Sequence, residues 1–229
     1  MAGRIVIITG AKGGLGTAVT TMFLEAGDTV IGASRSIKTS DFPSQNFIAV
    51  QSDFSDATSV RELASSTMDR FGRVDGLIHV VGGFAGGTPI HDTDEQTWKQ
   101  MLDQNLNAAF NVIVAVVPHM RHAKFGRIVM VGSKAADQPR ANLGAYVISK
   151  IALAALVKTV ALENADAGIT ANVVLPGTMD TPANRAAMPS ADRSRWVRPS
   201  DVANVIYWLT TDAASQVNGA AIPVSGSDP

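Results

Sequence analysis

The sequence predicts an α/β protein, a single domain over 1–229 built on a doubly wound parallel sheet of about seven strands flanked by helices. Three observations predict it. Short β-branched runs alternate with longer helical patterns along the whole chain. The runs are continuously apolar, as strands covered on both faces must be. No Pro/Gly/Ser-rich linker or internal repeat divides the pattern. Alternation of this kind implies right-handed crossovers between parallel strands.

Each element has its own warrant. "RIVIIT" (4–9) reads as a buried strand, its apolar run far too short for a signal-peptide core or a membrane span. A glycine turn then opens a helix over 15–26. "TVIGAS" (29–34) and "FIAVQS" (47–52) are the second and third strands. Ser55 or Asp56 caps a helix over 57–71. "DGLIHVV" (75–81) is the fourth strand, followed by one long helix over 95–122. "GRIVMVG" (126–132) precedes an alanine- and leucine-rich helix over 145–165, and "ITANVVL" (169–175) is the sixth strand. Ser200 or Asp201, with Pro199 ahead, caps a helix over 200–211, and "AAIPVS" (220–225) closes the sheet. The segments 134–144 and 178–196 read as irregular loops. Residues up to about 130 form one half of this pattern, and 131–229 the other.

Composition removes several function classes. A net charge of −1 with scattered basic residues shows neither the footprint of a nucleic-acid binder nor a polybasic membrane patch. The absence of cysteine excludes disulfides, thiolate metal sites and cysteine nucleophiles, and the cytoplasm is the favoured compartment. His79, His91, His119 and His122 show no metal-ligand spacing with carboxylates, so no metal is expected. Neither a G-x-S-x-G elbow nor a Walker loop occurs.

Open sheets of this type bind ligands beyond the carboxyl ends of their strands, so the loops there carry the reading. "TGAKGGLG", Thr9 to Gly16, joins the first strand to a helix N-terminus. Gly10, Gly14 and Gly16, with Leu15 between the last two, allow a tight turn and close approach to a pyrophosphate, although a purely structural turn is the alternative. Strand two ends in Ser34 and Arg35, which suit a 2′-phosphate, so NADP(H) is favoured over NAD(H). Lys12 shares or replaces that role, and a solvated Arg35 is the bland alternative. Asp53, with Phe54 beside it, would border an adenine, and Gly82 would let a cofactor lie against the end of strand four. Turn chemistry explains either equally well.

"YVISK" places Tyr146 and Lys150 on one helix face, where an ammonium would lower the phenol pKa. Ser133 ends strand five, a loop's length away. Asn105, inside an apolar helix, needs buried partners and suggests a polar chain leading to Lys150.

Taken together, "TGAKGGLG", Asp53, "NLNAAF", Ser133, "YVISK" and "LPGTMDTP" resemble, in order and spacing, the short-chain dehydrogenase/reductase family across nearly the whole chain. The resemblance implies a Rossmann-type fold and an NAD(P)-dependent oxidoreductase that moves hydride between nicotinamide and a carbonyl or alcohol. It further implies that Tyr146 is the general acid/base, that Ser133 polarises the carbonyl, that Lys150 holds the nicotinamide ribose and lowers the Tyr146 pKa, and that Asn105 sustains a proton relay. Pro176, Gly177 and Thr181 would contact the nicotinamide end. A narrower likeness joins "VVGGFAGGTPIHDTDEQTWKQ" and "LPGTMDTPANRAAMPSADRSRW" to dihydropteridine reductase, which makes quinonoid pterin reduction the alternative. Ser133 and the missing acidic residue at the end of strand two depart from that branch.

Phe84, Arg140, Arg185, Arg193 and Trp196 would line the pocket of a small, planar or anionic substrate, with solvated surface charge the alternative for each arginine. A regulator that binds nucleotide without turnover is the second alternative. The helices near 105–118 and 147–162 carry more apolar surface than one sheet covers, which predicts a homodimer or homotetramer.

Overall fold

In a computed structural model, which describes residues 3–226, seven strands form one sheet. Strands β1 (Ile5–Thr9), β2 (Thr29–Ala33), β3 (Phe47–Val50), β4 (Gly76–His79), β5 (Gly126–Val131), β6 (Ile169–Pro176) and β7 (Ala221–Val224) run in the order β3-β2-β1-β4-β5-β6-β7. Every neighbouring pair is parallel. Strand order reverses between β1 and β4, so the crevice for a ligand opens beyond Thr9 and His79, which face each other in register.

The described residues form seven α-helices, α1 (Gly14–Glu25), α2 (Ala57–Phe71), α3 (Glu95–Leu102), α4 (Ala108–Ala123), α5 (Gly144–Asn164), α6 (Pro182–Ala187) and α7 (Pro199–Leu209), of which α1, α2, α4, α5 and α7 pack on the sheet. Strand alternation divides the core. Ile5, Ile7, Leu77 and Ile128 pack on α2, α4 and α5 through Leu63, Val112, Leu153 and Val157. Val6, Ile8, Ile78 and Val129 face the other way, onto Val19 and Phe23 of α1 and Val202 and Ile206 of α7. Each fully buried side chain of this size contributes about 1.5–3 kcal/mol, and continuous apolar strands are what two covered faces require.

Three boundaries differ from the sequence reading. The helix expected over 95–122 is interrupted by a π-helical turn, Asp103–Asn107, between α3 and α4. The expected loop 178–196 contains α6, capped by the Thr181 hydroxyl accepting from Asn184 N at 3.2 Å, with Pro182 in its first turn. The last helix starts at Pro199 with Arg198 at the cap position and no side-chain cap, because proline's fixed φ suits the first helical residue better than a position ahead of it. Asp56 caps α2, accepting from Thr58 N at 2.8 Å.

Among the described residues one helical stretch, Gly144–Ala167, is long and apolar enough to cross a membrane. It contains α5, which buries Leu153, Val157 and Ala161 of one face in the core.

Candidate active site

The glycine turn after β1 is shaped for close approach. Gly10 has φ +69°, in the left-handed region, and a Cβ on Gly16 would collide with the Gly10 carbonyl. The loop leans over the end of β2, where Gly10 N donates to the Ala33 carbonyl at 2.8 Å. It leads straight into α1, whose first N–H groups face the crevice as a ready site for an anion. Leu15 turns its side chain into the core, so only its backbone is available to a ligand. A Cβ on Gly14 would lie 2.8 Å from Thr181 Cγ2, which shows that the segment after β6 reaches across to the glycine loop.

A groove of about 810 Å³ opens beside this turn, bordered by Arg35, Asp53, Phe54 and Gly82, and by Lys99 and Asp103 of the opposite helical segment. Ser34 Oγ is buried and lacks a hydrogen-bond partner. An orphaned hydroxyl and a guanidinium at the end of a strand fit a phosphorylated ribose, and the glycine turn fits a pyrophosphate. Asp53 is also turn chemistry: its Oδ1 accepts from Ser55 Oγ at 2.7 Å and Ser55 N at 3.0 Å. Those two bonds, with Arg35 nearby, hold its carboxyl below the usual range.

Ser133, Tyr146, Lys150 and Asn105 come together at the carboxyl end of the central strands. The Tyr146 phenol is hydrogen-bonded to Ser133 and meets Phe84 edge-on, with ring centroids 5.0 Å apart. Phe84, exposed on its outer side, therefore forms one wall over the phenol. Asn105 is fully buried at the centre of the π-helical turn. Its Oδ1 accepts from Gly83 N at 2.9 Å, and its Nδ2 donates to the Gly83 carbonyl at 3.1 Å and to Ser149 Oγ at 3.0 Å. Ser149 Oγ in turn donates to the Tyr146 carbonyl at 2.7 Å. The polar chain expected from Asn105 thus runs to Ser149 rather than directly to Lys150. Asn105 and Lys150 still converge, since a Cβ on Gly82 would lie 2.8 Å from Asn105 Oδ1 and 3.0 Å from Lys150 Nζ.

The electrostatics reverse one expectation. Burial raises the Tyr146 pKa above that of a free phenol, and the Ser133 hydrogen bond opposes the rise. Lys150 has no resolved share in that balance, and its Nζ donates to the Val131 carbonyl at 3.0 Å. Burial brings Lys150 itself down to about 8.

The substrate-side arginines are less concentrated than expected. Arg185 is committed to Asp180 through two hydrogen bonds, 2.5 and 2.7 Å. Arg193 lies over the Trp196 ring at 5.8 Å from its centroid, and Arg140 is exposed in the loop before α5. A bridge between Met179 and Val197 closes the base of the segment that carries α6. Pro176 ends β6 and Gly177 follows it, donating to the Val224 carbonyl at 3.2 Å.

Some site residues escaped the sequence reading. His79, fully buried, shares a 2.8 Å hydrogen bond with Thr9 Oγ1 through Nδ1, while its Nε2 has no partner. Its position was legible from strand parity, two residues after the inward-facing Leu77. Gln96, Lys99, Gln100 and Asp103 line the groove at helical spacing, also a readable signal. The Val131 carbonyl that anchors Lys150 leaves no trace in side-chain sequence. Among the described residues no group of three or more His, Asp or Glu is placed to hold a metal ion.

Comparison with known proteins gives the same architecture. A family model described as short chain dehydrogenase matches residues 4–192. The chain is 31% identical to the 2,3-dihydro-2,3-dihydroxybenzoate dehydrogenase of Escherichia coli (strain K12), an alignment covering 98% of this chain and 96% of that protein. It is 29% identical to the 3-oxoacyl-[acyl-carrier-protein] reductase FabG of Thermotoga maritima, covering 98% and 97%. A solved structure described as ElxO with NADP bound superposes with a TM-score of 0.91 at 25% identity, over 97% of each chain.

Proposed function

The chain belongs to the short-chain dehydrogenase/reductase family, an oxidoreductase fold, and from that premise we propose that it is an NADP(H)-preferring ketoreductase or alcohol dehydrogenase of the cytoplasm, acting on a small carbonyl or alcohol. The observation that carries the reading is the Tyr146 phenol hydrogen-bonded to Ser133, at the carboxyl end of β5, with Lys150 and Asn105 converging on Gly82 beside it. The glycine turn and the N-terminus of α1 would hold the pyrophosphate of a dinucleotide, Ser34 and Arg35 its 2′-phosphate, and Pro176, Gly177 and Thr181 its nicotinamide end. When bound, nicotinamide supplies or accepts the hydride.

The protein's own part is positional and protonic. Ser133 donates to the substrate oxygen as negative charge develops there, and Tyr146 O–H gives that oxygen its proton. In the oxidative direction the phenolate takes the proton back. Lys150 keeps a cation beneath the site, and Asn105 pins the loop at Gly83 so that the floor does not move. Ser133 favours a carbonyl over a quinonoid pterin as the principal reading, since a carbonyl oxygen gains from that hydroxyl at the moment of reaction. NADP(H) is favoured by the unpartnered Ser34 hydroxyl beside Arg35, and the name of the similar ElxO structure includes NADP. The single domain divides functionally near residue 130. The exposed Phe110, Val114, Ile148 and Ile151 support a homodimer or homotetramer.

Purified protein is tested for NADPH and NADH oxidation with a simple ketone, a quinone, a 3-oxoacyl thioester and a quinonoid dihydropterin, and for NADP+ reduction with a cyclic dihydrodiol. Turnover of a carbonyl or diol, lowered about 10²–10⁴-fold in Tyr146→Phe with dinucleotide binding retained, is the expected result. Preference for the pterin moves the protein to the pterin branch. Binding without turnover of any substrate assigns it to nucleotide-dependent regulation.

A further inference from the structure

The turn after β2 carries a carboxylate for which the dinucleotide reading has no use. Gly10 and Ala11 donate to the Ala33 carbonyl at 2.8 and 3.4 Å, which sets the glycine loop directly against the end of β2, next to Ser34 and Arg35. From that loop Lys12 extends its ammonium to Asp41, Nζ to Oδ1 3.0 Å. Asp41 is itself fixed, its Oδ2 accepting from Lys38 N at 2.9 Å to close the short turn Thr39–Asp41. Ile37 and Phe42, on either side of that turn, are buried in the core, so the turn cannot swing away freely. A fixed anion therefore tethers the one lysine of the glycine loop, while Ser34 Oγ, just after β2, has no partner.

We infer that Asp41 is a specificity-determining residue: it neutralises Lys12, the lysine of the glycine loop, weakening the hold on a 2′-phosphate while leaving a 2′-hydroxyl unaffected. The inference rests on the proposed dinucleotide site. Its physical content is a competition. A 2′-phosphate must either draw Lys12 from Asp41 or bind with Lys12 already satisfied, and in both cases the Asp41 carboxylate offsets the attraction of that lysine. An uncharged 2′-hydroxyl meets neither penalty. Asp41 thus limits a preference that Ser34 and Arg35 create, and keeps the pocket open to both dinucleotides.

The test uses binding alone. Isothermal titration of 2′,5′-ADP and 5′-ADP is carried out on the full chain, as wild type, Asp41→Asn, Lys12→Ala, the double variant and Arg35→Ala. Asparagine retains an acceptor for Lys38 N, and Asp41→Ser serves if the thermal midpoint of Asp41→Asn falls. The expected result is 2′,5′-ADP binding about three- to tenfold tighter in Asp41→Asn, with 5′-ADP unchanged and the gain shrinking in the Lys12→Ala background and at high salt. Unchanged or weaker 2′,5′-ADP binding in Asp41→Asn overturns the inference, the weaker case meaning that Asp41 orients Lys12 for the phosphate. An Arg35→Ala loss without an Asp41 effect sinks this inference alone. Equal binding of the two ligands by wild type and by Arg35→Ala removes the NADP(H) preference itself.

Discussion

Tyr146 sits where its ionisation is opposed by burial and assisted only by Ser133, and that balance fixes the direction of a pH experiment. A raised pKa keeps the phenol protonated through neutral pH, which suits proton donation in carbonyl reduction. In alcohol oxidation the phenolate is needed, so kcat/KM rises with pH towards the phenol pKa. Ser133→Ala removes the one lowering influence, so the oxidative limb should move to higher pH while kcat falls about 10²–10³-fold. A limb that stays in place or moves down would show that the Ser133 contact does not tune the phenol. His79 makes a second prediction, on stability. Burial, with the Lys150 charge adding to it, brings its pKa from 6.5 to about 3, so the folded protein holds it neutral. The unfolded chain binds the extra proton between those values. The contribution is therefore fully present above pH 6.5 and is lost as pH falls towards 3, at up to about 1.4 kcal/mol per pH unit. Urea unfolding at pH 7 and pH 5 should show a steeper loss in wild type than in His79→Asn; parallel losses would refute a neutral buried imidazole.

The π-helical turn between α3 and α4 shows an element bent to serve a site. Asn105 bonds both backbone groups of Gly83, 22 residues away, and Ser149, 44 residues away. Asn105→Leu would take the partner from Ser149 Oγ in the interior and from the half-buried backbone groups of Gly83, and should cost about 1–3 kcal/mol in chemical unfolding. Loss of activity with unchanged stability would mean that Asn105 works only through solvent or substrate. These distances also explain what the sequence could and could not disclose. The strands were legible because burial on both faces writes itself as unbroken apolar runs, as in Ile5–Thr9 and Gly126–Val131. The residues that end them were legible because loop chemistry is local: a glycine turn, a serine, a tyrosine and lysine one helical turn apart. The π turn was not, since helical periodicity over 95–122 is continuous and the partner that Asn105 meets there, Gly83, lies outside that segment. The sign of the Tyr146 shift was hidden for a related reason. Helical spacing puts Lys150 on the right face, but the Val131 carbonyl on another strand decides where its ammonium points. The helix Pro182–Ala187 was readable from Thr181 and Pro182, a cap followed by a first-turn proline, and lay concealed in a segment taken for loop.

At the scale of the whole molecule, α4 and α5 have two apolar faces and the sheet covers one. Val112 and Val116 of α4, with Leu153 and Val157 of α5, are buried against the strands. On the outer side Phe110 and Val114 remain 51% and 52% exposed, four residues apart, and Ile148 and Ile151 are 41% and 43% exposed, three apart. Those spacings make a stripe along each helix, and exposed apolar stripes of this kind mark association surfaces. A two-fold pairing of this layer brings like stripes together, as an isologous interface requires. The consequence reaches the chemistry, because Ile148 lies between Tyr146 and Lys150 on α5. Covering the outer face would steady the same helical turn that carries the phenol and the ammonium. Sedimentation at micromolar concentration should therefore show a dimer or tetramer. Phe110→Glu with Ile151→Glu should yield a monomer whose kcat falls more than its affinity for dinucleotide, since the glycine turn leads into α1, which packs on the opposite face of the sheet from α5. A wild-type monomer at that concentration would refute the association, and a monomeric variant with full kcat would show that α5 is rigid without a partner.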